Sequence, residues 1–255
     1  MHKNLLSVVV PAYNCETYIE STINNLLANP YRNIEILVGE DFSSDATGEI
    51  LSKFASIPQV RVFRAPKNLG PGAIRNWLLS EAKGEYIAVQ DADDSFAPER
   101  FSEQIEFLEQ HKNVDVVGTA ANLMDRAGNR WATLCPPERP SFLSWFLQKS
   151  VVHASIMLRK AALGGVQYNE SLRVGEDYYF LTQLYLKGAQ FRNIQRPLYN
   201  YHINQDDLRG RGRRQFGKIL RAKWAISKLF VFPVSVVVFV LNFLKMIYGL
   251  IRSYL

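Results

Sequence analysis

The feature that most constrains this fold is a regular alternation of short apolar runs with amphipathic stretches over residues 5–117. After each apolar run, apolar side chains recur every three or four positions, as they do on one face of a helix. Strands that are separated by helices form a mainly parallel sheet, which helices cover on both faces. The sequence therefore predicts an α/β fold. The predicted strands are Leu5–Val10, Ile34–Val38, Val60–Phe63, Tyr86–Gln90 and Val114–Val117.

Three polar clusters follow three of these predicted strands directly. They are Pro11–Asn14, Glu40–Ser44 and Asp91–Asp94. In open α/β sheets, ligands bind beyond the carboxyl ends of the strands. We therefore expect these carboxylates and amides to meet on one rim of the sheet, as a site for a nucleotide and a metal ion requires.

The cluster Asp91–Asp94 places three carboxylates within four positions after an apolar strand. A buried strand does not tolerate such charges unless they are exposed at its end or neutralised by a partner. Carboxylate oxygens are hard ligands that suit Mg²⁺ or Mn²⁺ together with a substrate's phosphates. The alternative is a solvated acidic turn before a helix that begins at Pro98.

Beyond residue 120 the alternation fades. Residues 125–129 are typical of a hairpin turn, and Val151–Arg159 alternates like a half-buried strand that carries His153 and Ser155 on one face. Gly175 precedes Glu176 and Asp177 at the start of a further predicted helix.

Charge is distributed unevenly along the 255 residues. The net charge is +6, yet residues 209–255 carry ten Lys or Arg and no acid, which leaves −4 over residues 1–208. Such an asymmetry indicates a tail that meets a polyanion. The two cysteines give neither a disulfide framework nor a metal-binding spacing, which favours a reducing compartment. No secretory signal is expected before the first strand.

The tail combines positive charge with an apolar run. We divide the chain into a body (1–205), a basic collar (206–228) and a membrane-associated or transmembrane helix (229–252). Residues 229–244 contain sixteen positions without a charge, and a spanning helix needs about 20 apolar residues. A span and an interfacial helix both stay open, and a buried core helix is the competing interpretation. The cations of the collar are Arg209, Arg211, Arg213, Arg214, Lys218, Arg221, Lys223 and Lys228.

Five segments, taken together and in order, resemble family 2 glycosyltransferases of the GT-A fold. The match covers roughly residues 5–205. The resemblance implies a Rossmann-like fold for nucleotide-diphospho-sugar transferases, with a mainly parallel sheet and helices on both faces. The segments are Ser7-Val-Val-Val-Pro-Ala-Tyr-Asn14, Glu40-Asp41-Phe-Ser-Ser-Asp45-Ala-Thr47, Asn68-Leu-Gly70-Pro-Gly-Ala-Ile-Arg75-Asn76, Gly84-Glu-Tyr-Ile-Ala-Val-Gln-Asp-Ala-Asp-Asp94 and Gly175-Glu-Asp-Tyr178.

Two residues depart from the family's pattern. Glu40 stands where Asp is usual, and Phe42 stands where Gly is usual, so the backbone of that loop is expected to differ. The Gln-x-x-Arg-Trp motif of processive synthases is absent. The resemblance therefore implies addition of one or a few sugars.

By the resemblance, the chain is an inverting enzyme that uses a nucleotide-diphosphate sugar, a UDP-sugar above all, and a divalent cation (Mn²⁺ or Mg²⁺). Asp93 would bind the metal, with His202 as a further candidate ligand, and Asp177 would be the general base; Asp177 can instead stabilise the helix dipole. Arg75 would hold pyrophosphate or fix the Asp91 loop, unless it is a surface arginine. His153, Ser155 and Glu176 are weaker candidates for substrate contacts. The residues expected to bind the donor are Pro11, Ala12, Tyr13, Asn14, Asp41, Arg75, Asp91 and Ala92.

Three other functions compete with sugar transfer. A sugar-nucleotide pyrophosphorylase needs a glycine-rich phosphate loop with a basic residue after the first strand, and Pro11–Asn14 supplies neither. An inactive, membrane-tethered sugar-nucleotide-binding protein would not need Asp91, Asp93 and Asp177. Nucleic acid is a poorer partner for the tail than an anionic bilayer. The positive-inside bias then predicts a location on the cytoplasmic face of a bacterial inner membrane. A glycan or lipid-linked acceptor of the cell envelope is the natural corollary of that location.

Overall fold

The computed structural model describes residues 2–125, 127–146, 149–203 and 216–229. Its nine strands in this part of the chain form one sheet with the order β3-β2-β1-β4-β8-β6-β9-β5, and β7 pairs with β6. The strands are β1 His2–Ala12, β2 Ile34–Glu40, β3 Val60–Arg64, β4 Gly84–Val89, β5 Ser95–Phe96, β6 Val116–Met124, β7 Arg130–Leu134, β8 Met157–Arg159 and β9 Phe191–His202. The helices are α1 Ile19–Leu27, α2 Thr47–Ser52, α3 Pro71–Glu81, α4 Arg100–Gln110, α5 Phe142–Phe146, α6 Glu176–Leu186 and α7 Phe216–Ser227.

The parallel half of the sheet consists of β1 to β4, as the alternation predicts. Strand β1 lies between β2 and β4, and successive side chains point to opposite faces. Val8 and Val10 belong to the core that α1 and α4 cover, while Val9 belongs to the core that α3 and α6 cover. Two buried faces explain why this strand is an unbroken apolar run.

The second half of the sheet is mixed, and the prediction of a mainly parallel sheet is wrong there. Strand β8 runs antiparallel between β4 and β6, and β5 runs antiparallel to β9, while β6 and β9 are parallel. The predicted hairpin is confirmed, because β6 and β7 pair antiparallel across residues 125–129. Antiparallel strands need no crossover helix between them, so β8 and β5 do not continue the alternation in the sequence.

The predicted strand Val151–Arg159 is only partly correct. Residues His153–Ser155 form a 3₁₀ helix, and strand β8 begins at Met157. His153 and Ser155 therefore do not share the face of a strand. The hydroxyl of Ser155, which is fully buried, accepts a hydrogen bond from the Thr119 amide at 3.0 Å and donates to the Val152 carbonyl at 2.8 Å. These bonds stabilise the turn.

Helix α7 falls within the predicted basic collar and packs on the start of α6. Ala222, Lys223 and Ile226 are buried, and a Cβ added to Gly175 would come within 2.7 Å of the Ala222 Cβ. Lys223, which the sequence counted among the cations of a basic linker or amphipathic collar, is only 8% exposed, because one face of α7 packs against the body.

The part of the chain that the structure describes contains no helix long and apolar enough to cross a membrane. The predicted membrane helix, residues 229–252, lies outside the described residues except for Leu229, and so does the collar over residues 206–215.

Gly175→Ala is expected to lower the free energy of unfolding more than Gly188→Ala does. Both glycines have positive φ, 77° and 94°, so alanine adds about 1–2 kcal/mol of backbone strain at either position. At Gly175 the new methyl also meets Ala222, whereas no described atom lies within 4 Å at Gly188. Overpacking adds about 1–3 kcal/mol. Urea denaturation measures both losses; equal losses would contradict the packing of α7 on α6.

Candidate active site

A cavity of about 410 Å³ opens at the carboxyl ends of β1, β2, β3 and β4. The three polar clusters that the sequence placed on one rim all contribute to it. The eight residues predicted to bind a donor and the predicted metal ligand line this one cavity; they are Pro11, Ala12, Tyr13, Asn14, Asp41, Arg75, Asp91, Ala92 and Asp93.

The turn after β1 is tied to the loop after β2. The Asn14 amide donates to Ser43 Oγ at 3.1 Å, and Asn14 Oδ1 accepts from the Ser44 amide at 2.9 Å. Asn14 has φ 47°, in the left-handed region that asparagine tolerates. Tyr13 is thereby held at the rim with 52% of its surface exposed, and its ring is available to stack on a flat ligand.

Asp41 organises the loop after β3. Its carboxylate accepts from the amides of Leu69 at 2.6 Å and Gly70 at 2.8 Å and from Asn68 Nδ2 at 3.2 Å. The adjacent Phe42 has φ 60°, the conformation that glycine adopts most easily. Phe42 therefore carries the strain of a left-handed residue at the position where glycine is usual in the family.

The three carboxylates after β4 have three different environments. Asp93 is exposed and lines the cavity, while Asp91 is half-buried. Asp94 is buried and accepts hydrogen bonds from the Tyr199 hydroxyl and the His202 amide, each at 2.8 Å. Burial and the charges of Asp91 and Asp93 raise the pKa of Asp94 to about 8. Charges after a buried strand were expected to be either exposed or neutralised by a partner, and the cluster contains an acid of each kind.

Arg75 is buried between two carboxylates. One terminal nitrogen lies 2.9 Å from Asp91 Oδ1, and the other lies 3.0 Å from Glu176 Oε1. Burial is the largest single effect and lowers the pKa of the guanidinium, but the neighbouring groups Asp91, Tyr168 and Glu176 together outweigh it, so the pKa is raised. Of the roles considered for Arg75, contact with the Asp91 loop is observed, and the surface-arginine interpretation is wrong. Arg75 joins the cavity to the first turn of α6.

Asp93 fits a divalent cation that is bound mainly by substrate and water. Within the described residues no cluster of three or more His, Cys, Asp or Glu could hold a metal ion by itself. Mg²⁺ is commonly held by one or two carboxylates together with phosphates and waters, and this donor set matches that pattern. The other candidate ligand, His202, lies with Nε2 3.0 Å from Ser95 Oγ and is not among the residues lining the cavity.

Asp177 lies in a second cavity of about 350 Å³, lined by residues of α6, α7 and the 3₁₀ helix. His153 and Lys223 line it as well. Burial and the nearby positive charge of Arg75 lower the pKa of His153 to about 4, so its imidazole is neutral at pH 7. Its Nε2 lies 2.8 Å from the Tyr168 hydroxyl. The predicted base and the predicted donor residues therefore occupy neighbouring cavities, which Glu176 and Arg75 connect.

The sequence model of glycosyl transferase family 2 matches residues 7–164, more than half of the chain. This chain belongs to that family. It is a glycosyltransferase, and the pyrophosphorylase and inactive-protein interpretations are set aside.

Among its relatives, the putative teichuronic acid biosynthesis glycosyltransferase TuaG of Bacillus subtilis is 34% identical over 208 residues, 81% of this chain and 82% of TuaG. Among solved structures, two examples share the fold of this chain. TarS of S. aureus in complex with UDP-GlcNAc gives a TM-score of 0.67 at 22% identity, covering 88% of this chain and 71% of TarS. The mannosyltransferase PcManGT of Pyrobaculum calidifontis, with GDP-Man and Mn²⁺, gives 0.68 at 17%, covering 98% and 72%. The expected GT-A-like α/β fold is thereby confirmed.

Sequence reasoning missed several residues of this glycosyltransferase's two cavities. Asn68 and Gly70 line the first cavity, which we call the donor-side cavity because the residues expected to bind a donor line it. Both lie within a segment that carried the family resemblance, so that motif could have identified them. Arg173 lines the same cavity, and Lys223 lines the second one. No spacing in the sequence singles out Arg173 or Lys223. Ser155, in contrast, lines neither cavity, and its candidacy has no support in the geometry.

Proposed function

We propose that this enzyme moves one sugar at a time from a nucleotide-diphosphate donor to a hydroxyl group of a cell-envelope glycan or lipid-linked acceptor, with inversion at the anomeric carbon. One observation carries the proposal: all eight residues expected to bind the donor line a single cavity together with Asp93. The occurrence of UDP-GlcNAc in TarS and of GDP-Man with Mn²⁺ in PcManGT supports this type of donor. The name of TuaG supports an envelope glycan as the acceptor.

On the donor side, Asp93 would hold the cation, whose positive charge would neutralise the diphosphate leaving group. The chain's own residues bind and orient the rest of the donor. Tyr13 would offer its ring to the nucleobase, and Asp91, which Arg75 fixes, would contact the ribose, as the family resemblance implies. Because Arg75 holds Asp91 from within the body, this side of the cavity is formed before any ligand arrives.

On the acceptor side, Asp177 would take the proton of the attacking hydroxyl. The acceptor oxygen forms a bond to the anomeric carbon, the bond from that carbon to the diphosphate oxygen breaks, and the proton passes to the Asp177 carboxylate. Attack from the face opposite the leaving group inverts the anomeric centre. The position of Asp177 in a neighbouring cavity agrees with a base that contacts the acceptor and not the nucleotide.

Asp93→Asn is expected to keep the fold and to lower donor turnover by about 100-fold or more, because the carboxylate is exposed and its role is electrostatic. Release of nucleoside diphosphate from a panel of UDP- and GDP-sugars, with Mn²⁺ or with EDTA, measures turnover. Thermal unfolding serves as the control for folding. Full activity of wild type in EDTA, or of the variant in Mn²⁺, would refute the metal assignment.

Asp177→Asn is expected to reduce sugar transfer by about 10²–10⁴-fold while nucleotide affinity stays within about twofold, since a general base acts on the acceptor. The neighbouring Glu176→Gln provides the contrast. That variant leaves buried Arg75 with one carboxylate and should cost about 3 kcal/mol of stability. Transfer of labelled sugar to cell-envelope extract and calorimetry of nucleotide binding separate the two roles. An equal fall of affinity and turnover in Asp177→Asn would make Asp177 a donor-binding residue.

We also propose that the tail holds the enzyme on the cytoplasmic face of a bacterial inner membrane. The support is the run of basic residues followed by residues 229–244 without a charge. Each cation near an anionic bilayer contributes about 1 kcal/mol. The full-length chain should sediment with membranes and resist extraction by high salt. Full-length protein that stays in the supernatant without detergent would refute the anchor.

A further inference from the structure

The donor-side cavity has two chemically distinct ends, set by the strand order. Asp93 follows β4, while Asn68 and Gly70 follow β3, which lies three strands away in the order β3-β2-β1-β4. Neighbouring strands are about 4.8 Å apart, so roughly 14 Å separates the two strand ends. The diphosphate and the base are opposite ends of a nucleoside diphosphate. If the diphosphate lies at Asp93, the nucleobase lies toward Asn68.

Arg173 is held at the Asn68 end by a chain of hydrogen bonds. Its guanidinium donates to Asn68 Oδ1 at 2.8 Å, and Asn68 Nδ2 donates to Asp41 at 3.2 Å. Gly70, which also bonds to Asp41, leaves room for the guanidinium: a Cβ at Gly70 would lie 2.1 Å from an Arg173 nitrogen. Arg173 is exposed yet lines the cavity, so a buried carboxylate orients an accessible cation through an amide.

Arg173 and Arg75 differ in their charge environment. Arg75 is buried between Asp91 and Glu176, and its charge is balanced there. The hydrogen bond of Arg173 goes to a neutral amide, and within the described residues no carboxylate forms an ion pair with it. Its charge and its remaining N–H groups are therefore available to a ligand in the cavity that it lines.

A guanidinium only donates hydrogen bonds. Within the purines and within the pyrimidines, the bases differ at one position of the base edge, which carries either a carbonyl or an amino group. Guanine presents the O6 acceptor and thymine-like bases present O4, whereas cytosine and adenine present an amino group. An arginine at that edge favours a carbonyl and leaves an amino group facing a donor. Tyr13, exposed on the same cavity, offers its ring face for stacking with any base.

We propose that Arg173 selects the nucleobase of the donor by donating a hydrogen bond to the carbonyl at position 4 of uracil or position 6 of guanine. The proposal rests on the proposed function and adds the base specificity of its donor site. Arg173 is thus a residue that determines nucleotide specificity. It lies just before α6, the helix that carries the proposed general base, Asp177.

The test is equilibrium binding of UDP, CDP, GDP and ADP to the full-length protein in detergent with Mn²⁺. Wild type should favour the carbonyl base by about tenfold or more, in the pyrimidine pair or in the purine pair. Arg173→Gln should weaken the favoured carbonyl nucleotide by about tenfold and leave its amino counterpart within about twofold. Arg173→Lys should lie between the two, because it keeps the charge and loses the planar fork.

Arg32→Gln is the matched control. Arg32 is exposed, bonds to the Leu27 carbonyl at 3.0 Å and precedes β2, at the opposite edge of the sheet from the cavity. It should leave all four affinities unchanged. Equal weakening of carbonyl and amino nucleotides by Arg173→Gln, which a diphosphate contact would produce, overturns the proposal. A wild-type protein without a preference for carbonyl bases also overturns the proposal. An Arg173→Gln variant that keeps the wild-type preference overturns it as well.

Nucleotide binding distinguishes a failure of the proposed function from a failure of the role of Arg173. A wild-type protein that binds none of the four nucleotides refutes the proposed function, and this inference with it. A wild-type protein that binds them with a preference that Arg173→Gln leaves intact refutes the role of Arg173 alone.

Discussion

The ion pairs of Arg75 with Asp91 and Glu176 are the interaction on which the rest of this site depends. They join the loop after β4, which carries the acidic cluster, to the first turn of α6, which carries Asp177. Removing one partner of a buried ion pair leaves the other charge buried without a partner, which costs about 3–5 kcal/mol of stability. The relative position of the two cavities is therefore fixed by a contact between residues that are far apart in the sequence.

The same contact explains how three carboxylates fit within four positions after a buried strand. Asp91 is balanced by Arg75, and Asp93 is exposed to solvent. Asp94 is buried, and burial together with the charges of Asp91 and Asp93 raises its pKa to about 8. Of these three acids, Asp93 is the one exposed at the cavity. The cluster therefore combines a member of a buried ion pair, a buried acid and a candidate metal ligand.

The sequence predicted the parallel half of the sheet well, because each strand there is long enough to show its period and is followed by a helix. In the mixed half it predicted the β6–β7 hairpin, but not the pairing of β8 and β5. Strand β8 has three residues and β5 has two, too few for a period, and their pairing depends on contacts across the fold. Most of the predicted cavity residues came from polar clusters at strand ends, and Arg75, in α3, came from the family resemblance. Arg173 could not be found in that way, since hydrogen bonds between distant segments place it there.

Helix α7 belongs to the basic tail by composition, but it packs against the body. Its charge suggested a collar distinct from the body, with a boundary at residue 205. Yet α7 lies on Gly175, where only a glycine leaves room for Ala222, and it lines the cavity that holds Asp177. Lys223 lies in that cavity as a buried cation. A helix selected only for contact with a bilayer would not need to bury a lysine beside the proposed base. Helix α7 therefore packs as part of the body, while Lys218 and Arg221 of the same helix are exposed.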